Sequence, residues 1–169
     1  MHPLRLILTF TLITPGIPFA SLTVGAPREI FPNERRVSLS PQNVTLLKKK
    51  GFANVLIERH AGAEAQFPDE EYIAAGATIV SRDELFGRTD IMLKVRPPSI
   101  DTEVKSLKEG STVISFLYPA QNRAVVDALA SHKVNAFAMD MIPRISRAQT
   151  FDALRSASII DEHGFQNKC

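Results

Sequence analysis

Short apolar runs recur along this chain, each followed by a stretch of helical character and then by glycine, proline or a capping residue. The runs are residues 22–26, 54–58, 77–80, 90–95, 112–117 and 134–139. They are too short for helices and read as strands. Most are apolar almost throughout, which suits strands buried on both faces, and such strands pair in parallel. The spacing predicts helices between them. Ser40-Pro41 gives an N-cap and a first-turn proline, Val44 and Leu47 share a face, and Gly51 ends the segment. Lys48, Lys49 and Lys50 then fall in a last turn, where cations suit the helix dipole. Residues 68–75 open with acid and close at Gly76. Ser81-Arg-Asp-Glu84 is a capping box for a brief helix stopped by Gly87. Residues 102–109 can be helical up to Gly110, and residues 122–132 place Val125, Val126 and Leu129 inward.

Strands alternating with helices predict an α/β fold with a doubly wound, mainly parallel sheet, of the Rossmann-like or flavodoxin-like kind. At 169 residues there is room for one domain and a tail. The expected divisions are a leader at 1–20, the domain at 21–154 and a tail at 155–169. The leader has Arg5, an apolar core from Leu6 to Ile13 and Ala20 at its end, the shape of a signal or targeting segment. It is too short and too broken by proline and glycine to span a bilayer. A net charge of +2 argues for neither a nucleic-acid binder nor an acidic tail. The single cysteine, Cys169, excludes an internal disulfide and any zinc site built on thiolates.

The densest cluster of polar chemistry follows the last apolar run. Met141-Ile-Pro-Arg144-Ile-Ser-Arg147-Ala-Gln149-Thr-Phe-Asp152-Ala-Leu154 places arginines, a glutamine and an aspartate in one loop. In a doubly wound domain that loop leaves the carboxyl edge of the sheet, where ligands bind. Other motifs precede it in order: Val24-Gly-Ala-Pro-Arg-Glu29, Asn33-Glu-Arg-Arg-Val-Ser-Leu-Ser-Pro41, Ala75-Gly-Ala77, Leu93-Lys-Val-Arg-Pro97, Ser115-Phe-Leu-Tyr-Pro-Ala-Gln121 and Ala138-Met-Asp-Met-Ile-Pro-Arg144. Together they resemble the N-terminal domain shared by alanine dehydrogenases and proton-translocating NAD(P)+ transhydrogenases.

Two positions bear on the branch. Alanine dehydrogenases place a substrate-binding lysine and a histidine where this chain has Arg96 and Tyr118. Arginine can hold a carboxylate, but a phenol is a poor stand-in for imidazole as a proton donor near neutral pH. Tyr118-Pro-Ala-Gln121 and the Arg144 loop match the transhydrogenase branch. The resemblance implies hydride transfer from NADH to NADP+ coupled to proton movement, with the cofactors making the bonds and the protein orienting the rings. No metal, nucleophile or general acid is then required. It implies that Arg144 hydrogen-bonds the nicotinamide carboxamide, Gln149 reaches the partner domain's nucleotide, Asp152 helps set the ring's orientation, and Ser156, the second of the family's paired serines, is a further cofactor-binding residue. Arg155 replaces the first of the family's paired serines and is expected to harm NAD+ binding.

The resemblance also implies partners: a Rossmann NAD domain, a membrane domain, an NADP domain and a second copy in a homodimer. No G-x-G-x-x-G occurs here, so the chain is expected to be a truncated form, inactive alone and without tight cofactor binding. The family completes its first domain with later segments, so apolar surface is expected to be left uncovered. The rival expectations are an alanine dehydrogenase-like oxidoreductase and a non-catalytic fragment that associates with the complete enzyme. By family the location is the mitochondrial inner membrane, matrix side; by its leader, the secretory route. Outside the motif loop, Arg35 and Arg36 either touch a phosphate or pair with Glu29 or Glu34, and Arg147, His60 and His132 read as surface residues. Tyr118 reads as either branch-specific or core packing.

Overall fold

The computed structural model describes residues 19–142. Its strands are β1 Thr23–Ala26, β2 Asn54–Glu58, β3 Thr78–Val80, β4 Ile91–Leu93, β5 Thr112–Ser115 and β6 Asn135–Ala138. The helices are α1 Pro41–Lys49, α2 Asp69–Ala74, α3 Arg82–Arg88 and α4 Arg123–Ser131. All six strands form one sheet in the order β3-β2-β1-β4-β5-β6, and every pairing is parallel. Building runs outward from β1 to β3 on one side and from β4 to β6 on the other. The doubly wound expectation is met, and the order reverses between β1 and β4.

The helix starts are those the sequence signals. Ser40 accepts a hydrogen bond from the Asn43 N–H, and Ser81 from the Glu84 N–H. The capping box at Ser81 is only half made, because the Glu84 carboxylate pairs with Arg88 one turn on. Asp69, Glu70 and Glu71 occupy the first turn of α2, where the helix dipole favours them. Two expectations are corrected. Helix α3 runs through Gly87 to Arg88, and Thr89 returns its hydroxyl to the Leu85 carbonyl. Residues 102–109 form only a 3-10 turn, Val104–Ser106, after which Leu107 is extended. The cause is long-range: Glu103 is drawn into a buried ionic cluster at the sheet edge.

Adjacent strand residues point to opposite faces, and the core divides accordingly. Leu56 packs with Leu85, Phe86, Met92, Val113 and Leu129. Its neighbours Val55 and Ile57 pack on the other face with Val44 and Tyr72. So α3 and α4 cover one side, and α1 and α2 the other. The Tyr72 hydroxyl donates to the Leu39 carbonyl at 2.8 Å. Burial, with Asp69 and Glu71 nearby, pushes this phenol up to about 12. Cover thins toward β6, where Phe137 is 60% exposed.

Candidate functional site

Parallel strands send their following loops out from one edge, and ligands in such folds bind where the strand order reverses. Here that place is filled by charge. Lys94, just past β4, donates to Glu103 Oε1 at 2.9 Å and to Glu29 Oε2 at 3.2 Å. Arg82 donates to the same Glu103 oxygen at 2.5 Å and to Glu58 Oε2 at 2.9 Å. Side-chain exposure is 1% for Lys94, 2% for Glu29 and 0% for Glu103. Three carboxylates thus face two cations. Backbone N–H groups of Val95, Ser99 and Arg28 donate to Glu29, Glu103 and Glu58 respectively. Buried charges survive only when so paired and hydrogen-bonded. The cluster locks the loop after β1 to the loop after β4.

Beside it opens a cleft of about 610 Å³ bordered by Arg28, Phe31, Glu34, Arg36, Glu58 and Arg82. Glu34 is its organising carboxylate. Arg36 grips both its oxygens at 2.7 Å, and Arg96 Nε donates to Oε2 at 2.6 Å. The Arg36 hydrogen bond, opposed by burial and reinforced by Arg96, lowers the Glu34 carboxyl from 4.5 to about 2. The same pairing raises Arg36. The Arg96 guanidinium lies 4.9 Å from the centre of the Phe31 ring. Of the alternatives for Arg36, the structure chooses Glu34; Arg35 is exposed on the cleft wall. Arg96 thus already holds a carboxylate of its own chain.

Tyr118 is not core packing. Its side chain is exposed, and its ring stacks on Phe116 with centroids 6.3 Å apart. Its backbone is left-handed at φ 48°, an uncommon choice for a bulky residue. Asp140 holds it there: Oδ1 accepts the Leu117 N–H at 2.8 Å, and Oδ2 the Tyr118 N–H at 3.1 Å. Asn122 bonds the Leu117 carbonyl at 3.0 Å from the other side.

Arg144, Gln149, Asp152 and Ser156, with Arg147 and Arg155, lie outside the described residues. His60 is set by a backbone bond to Asp69, and His132 Nε2 meets the Leu107 carbonyl. Among the described residues no group of three or more His, Cys, Asp or Glu could hold a metal ion. No described helix is long and apolar enough to cross a membrane.

The fit to a dinucleotide divides between its two ends. Rossmann domains hold the pyrophosphate on a glycine-rich turn leading from β1 straight into a helix. Here Pro27 and Arg28 follow β1, and α1 starts only at Pro41. Gly25 serves packing instead: a Cβ there would lie 2.2 Å from Thr89 Oγ1. The residues do not fit a pyrophosphate. Exposed Phe31, with the Arg96 guanidinium over its ring, does suit a flat, polar ring.

A family model described as "Alanine dehydrogenase/PNT, N-terminal domain" matches residues 25–160. The chain is 41% identical over 139 residues to the NAD(P) transhydrogenase subunit alpha of Haemophilus influenzae, covering 82% of this chain and 27% of that protein. It is 36% identical over 121 residues to an alanine dehydrogenase of Staphylococcus haemolyticus, covering 72% of this chain and 32% of that protein. A crystal structure of transhydrogenase from Sinorhizobium meliloti superposes with a TM-score of 0.75 at 38% identity, over 79% of this chain and 38% of that one. The chain thus spans only about a quarter to two-fifths of these relatives.

Proposed function

From its membership of the alanine dehydrogenase/PNT N-terminal domain family, to which the chain belongs, we propose that it is the NAD(H)-side domain of a proton-translocating NAD(P)+ transhydrogenase. The observation that carries the choice of branch is Tyr118. It stands where alanine dehydrogenases place a histidine, and it is an exposed, stacked phenol held in a left-handed backbone. Arg96 supports the choice, since Glu34 already engages it.

In this reading the nicotinamides, when bound, supply hydride donor and acceptor. The chain's own side chains only bind and orient. Arg144 presents N–H donors to the carboxamide oxygen of NAD(H), and Gln149 reaches the NADP(H) side. Asp152 and Ser156 set the ring's angle. The phosphate grip belongs to a separate Rossmann domain, because the turn after β1 cannot provide it. A membrane domain and an NADP domain complete the enzyme, which pairs as a homodimer with this domain on the matrix side of the mitochondrial inner membrane. Since the turn after β1 has no phosphate grip, hydride transfer in this reading needs those other domains.

The test is a chimaera in which residues 22–154 replace the matching segment of the Haemophilus influenzae alpha subunit. Membranes carrying it are assayed for hydride transfer from NADH to an NADP+ analogue. Transfer that is lost on Arg144→Ala supports the proposal. Reduction of pyruvate with ammonia instead would favour the alanine dehydrogenase branch.

A further inference from the structure

We infer that Tyr118 is a binding residue: its ring, presented by a strained turn at the carboxyl edge of the sheet, is a platform on which a flat heteroaromatic ring stacks, in this chain the nicotinamide of NAD(H). The identity of the ring rests on the transhydrogenase reading; the platform rests on the turn alone.

The turn follows β5, and Tyr118 takes its left-handed position at φ 48°. Glycine or asparagine adopts that conformation at less cost than a residue with a bulky side chain. Strain of this kind persists only where its surroundings impose it, and it gathers at ligand sites. Here the surroundings do impose it. Asp140 accepts the Leu117 and Tyr118 N–H groups, the Asn122 side chain donates to the Leu117 carbonyl, and the Gln121 and Asn122 N–H groups donate to the Tyr118 carbonyl. All of these bonds fix the backbone and leave the side chain free. The ring is 39% exposed, and its hydroxyl has no partner among the described residues. Phe116, with its plane 24° from that of Tyr118, backs the ring without covering it. The turn is therefore held firmly, while the ring it carries adds nothing to the core. The Glu34 hydrogen bond is the main influence raising Arg36, and Tyr118 is among the lesser electrostatic ones, so the phenol lies toward the Arg36 wall of the cleft. Phe31, exposed on the loop after β1, already has the Arg96 guanidinium over its ring. An electron-poor ring such as nicotinamide complements the electron-rich phenol face in an offset stack.

Nicotinamide, uncharged near neutral pH, is the probe. It is titrated into the full 169-residue chain labelled for NMR, and the ring signals of Tyr118, Phe31 and Tyr72 are followed. We expect saturating shifts at the Tyr118 ring, smaller ones at Phe31 and none at buried Tyr72. Tyr118→Leu keeps a bulky side chain on the same backbone and removes the aromatic face. Its Leu117 amide should then report an affinity lower by about two- to tenfold, the worth of one aromatic stack. Tyr118→Phe should stay within about twofold of wild type, since it keeps that face. Tyr118→Gly separates binding from a role in folding. It should raise the urea midpoint by releasing the strained backbone, and still weaken the response to nicotinamide as Tyr118→Leu does. Equal affinity in wild type and Tyr118→Leu would overturn the inference, because the ring would then be idle. A lower urea midpoint in Tyr118→Gly would also overturn it, because the ring would then serve the fold. Neither result touches the chimaera assay, which reads hydride transfer, so the transhydrogenase reading is tested separately.

Discussion

Replacing Lys94 by methionine removes the central cation of the switch-point cluster while keeping most of its stem volume. Glu29 and Glu103 then face each other across the vacated site, 2% and 0% exposed in their side chains. Arg82 still reaches Glu103, and the Val95 and Ser99 N–H groups still donate, but Glu29 loses the cation hydrogen-bonded to it. Breaking a buried pair from one side costs about 3–5 kcal/mol. Against a domain stability of roughly 5–15 kcal/mol that is a large share. With a urea dependence of about 1–3 kcal/mol per molar, the unfolding midpoint should fall by about 2 M. Lys108→Met is the internal control. Lys108 meets Asp90 at 2.7 Å, closer than the Lys94 contacts at 2.9 and 3.2 Å, but with side chains 54% and 24% exposed. Its loss should cost no more than about 1 kcal/mol. Urea unfolding followed by far-ultraviolet circular dichroism compares the two. If Lys94→Met costs no more than Lys108→Met, burial does not set the strength of this cluster and the reasoning fails.

Acid should uncover Glu34. Its carboxyl is lowered from 4.5 to about 2, so its contribution is full above 4.5 and is lost as pH falls through the interval toward 2. Because Arg36 is 58% exposed, that contribution is discounted to about 1–2 kcal/mol. Stability curves of wild type and Glu34→Gln should differ by this amount near neutrality and converge in acid; parallel curves would contradict the clamp. Gly25→Ala should destabilise by about 1–3 kcal/mol through collision with Thr89, and by clearly less in a Thr89→Ala background. Equal penalties in both backgrounds would mean that Gly25 is kept for another reason. Gly87→Ala should raise stability by about 0.5–1 kcal/mol, since Gly87 lies inside α3 and an added Cβ meets nothing within 4 Å. Destabilisation there would show that the helix ends at Gly87 after all.

The sheet was legible because its signals are local. Each strand is an apolar run between turn residues, and Ser40 and Ser81 announce their helices within one turn. The parallel, doubly wound pattern followed from the alternation, whereas the order β3-β2-β1-β4-β5-β6 came from the structure. What escaped was non-local. Glu103 reads as part of a helix, yet Lys94 and Arg82 pull its carboxylate into the core, and the helix is cut to one 3-10 turn. Glu29 lies 65 residues from Lys94, so nothing in either neighbourhood announces their bond. Glu34 with Arg36 was legible as a local pair, whereas Arg96 joining from 62 residues away was not. Asp140 stands in a motif that points to Arg144, and its hold on the Leu117 and Tyr118 N–H groups appears only once β5 and β6 lie side by side. The loop that carries Arg144, Gln149, Asp152 and Ser156 was readable by resemblance alone.

The most direct test of this domain's place in a transhydrogenase is a calorimetric titration with NADH of the purified chain and of the chimaeric alpha subunit, side by side. The chimaera should bind saturably, more tightly with Arg155→Ser, while the chain alone gives no saturable signal, because its turn after β1 has no grip for a pyrophosphate. Tight, saturable NADH binding by the chain alone, or none by a folded chimaera, would contradict the assignment.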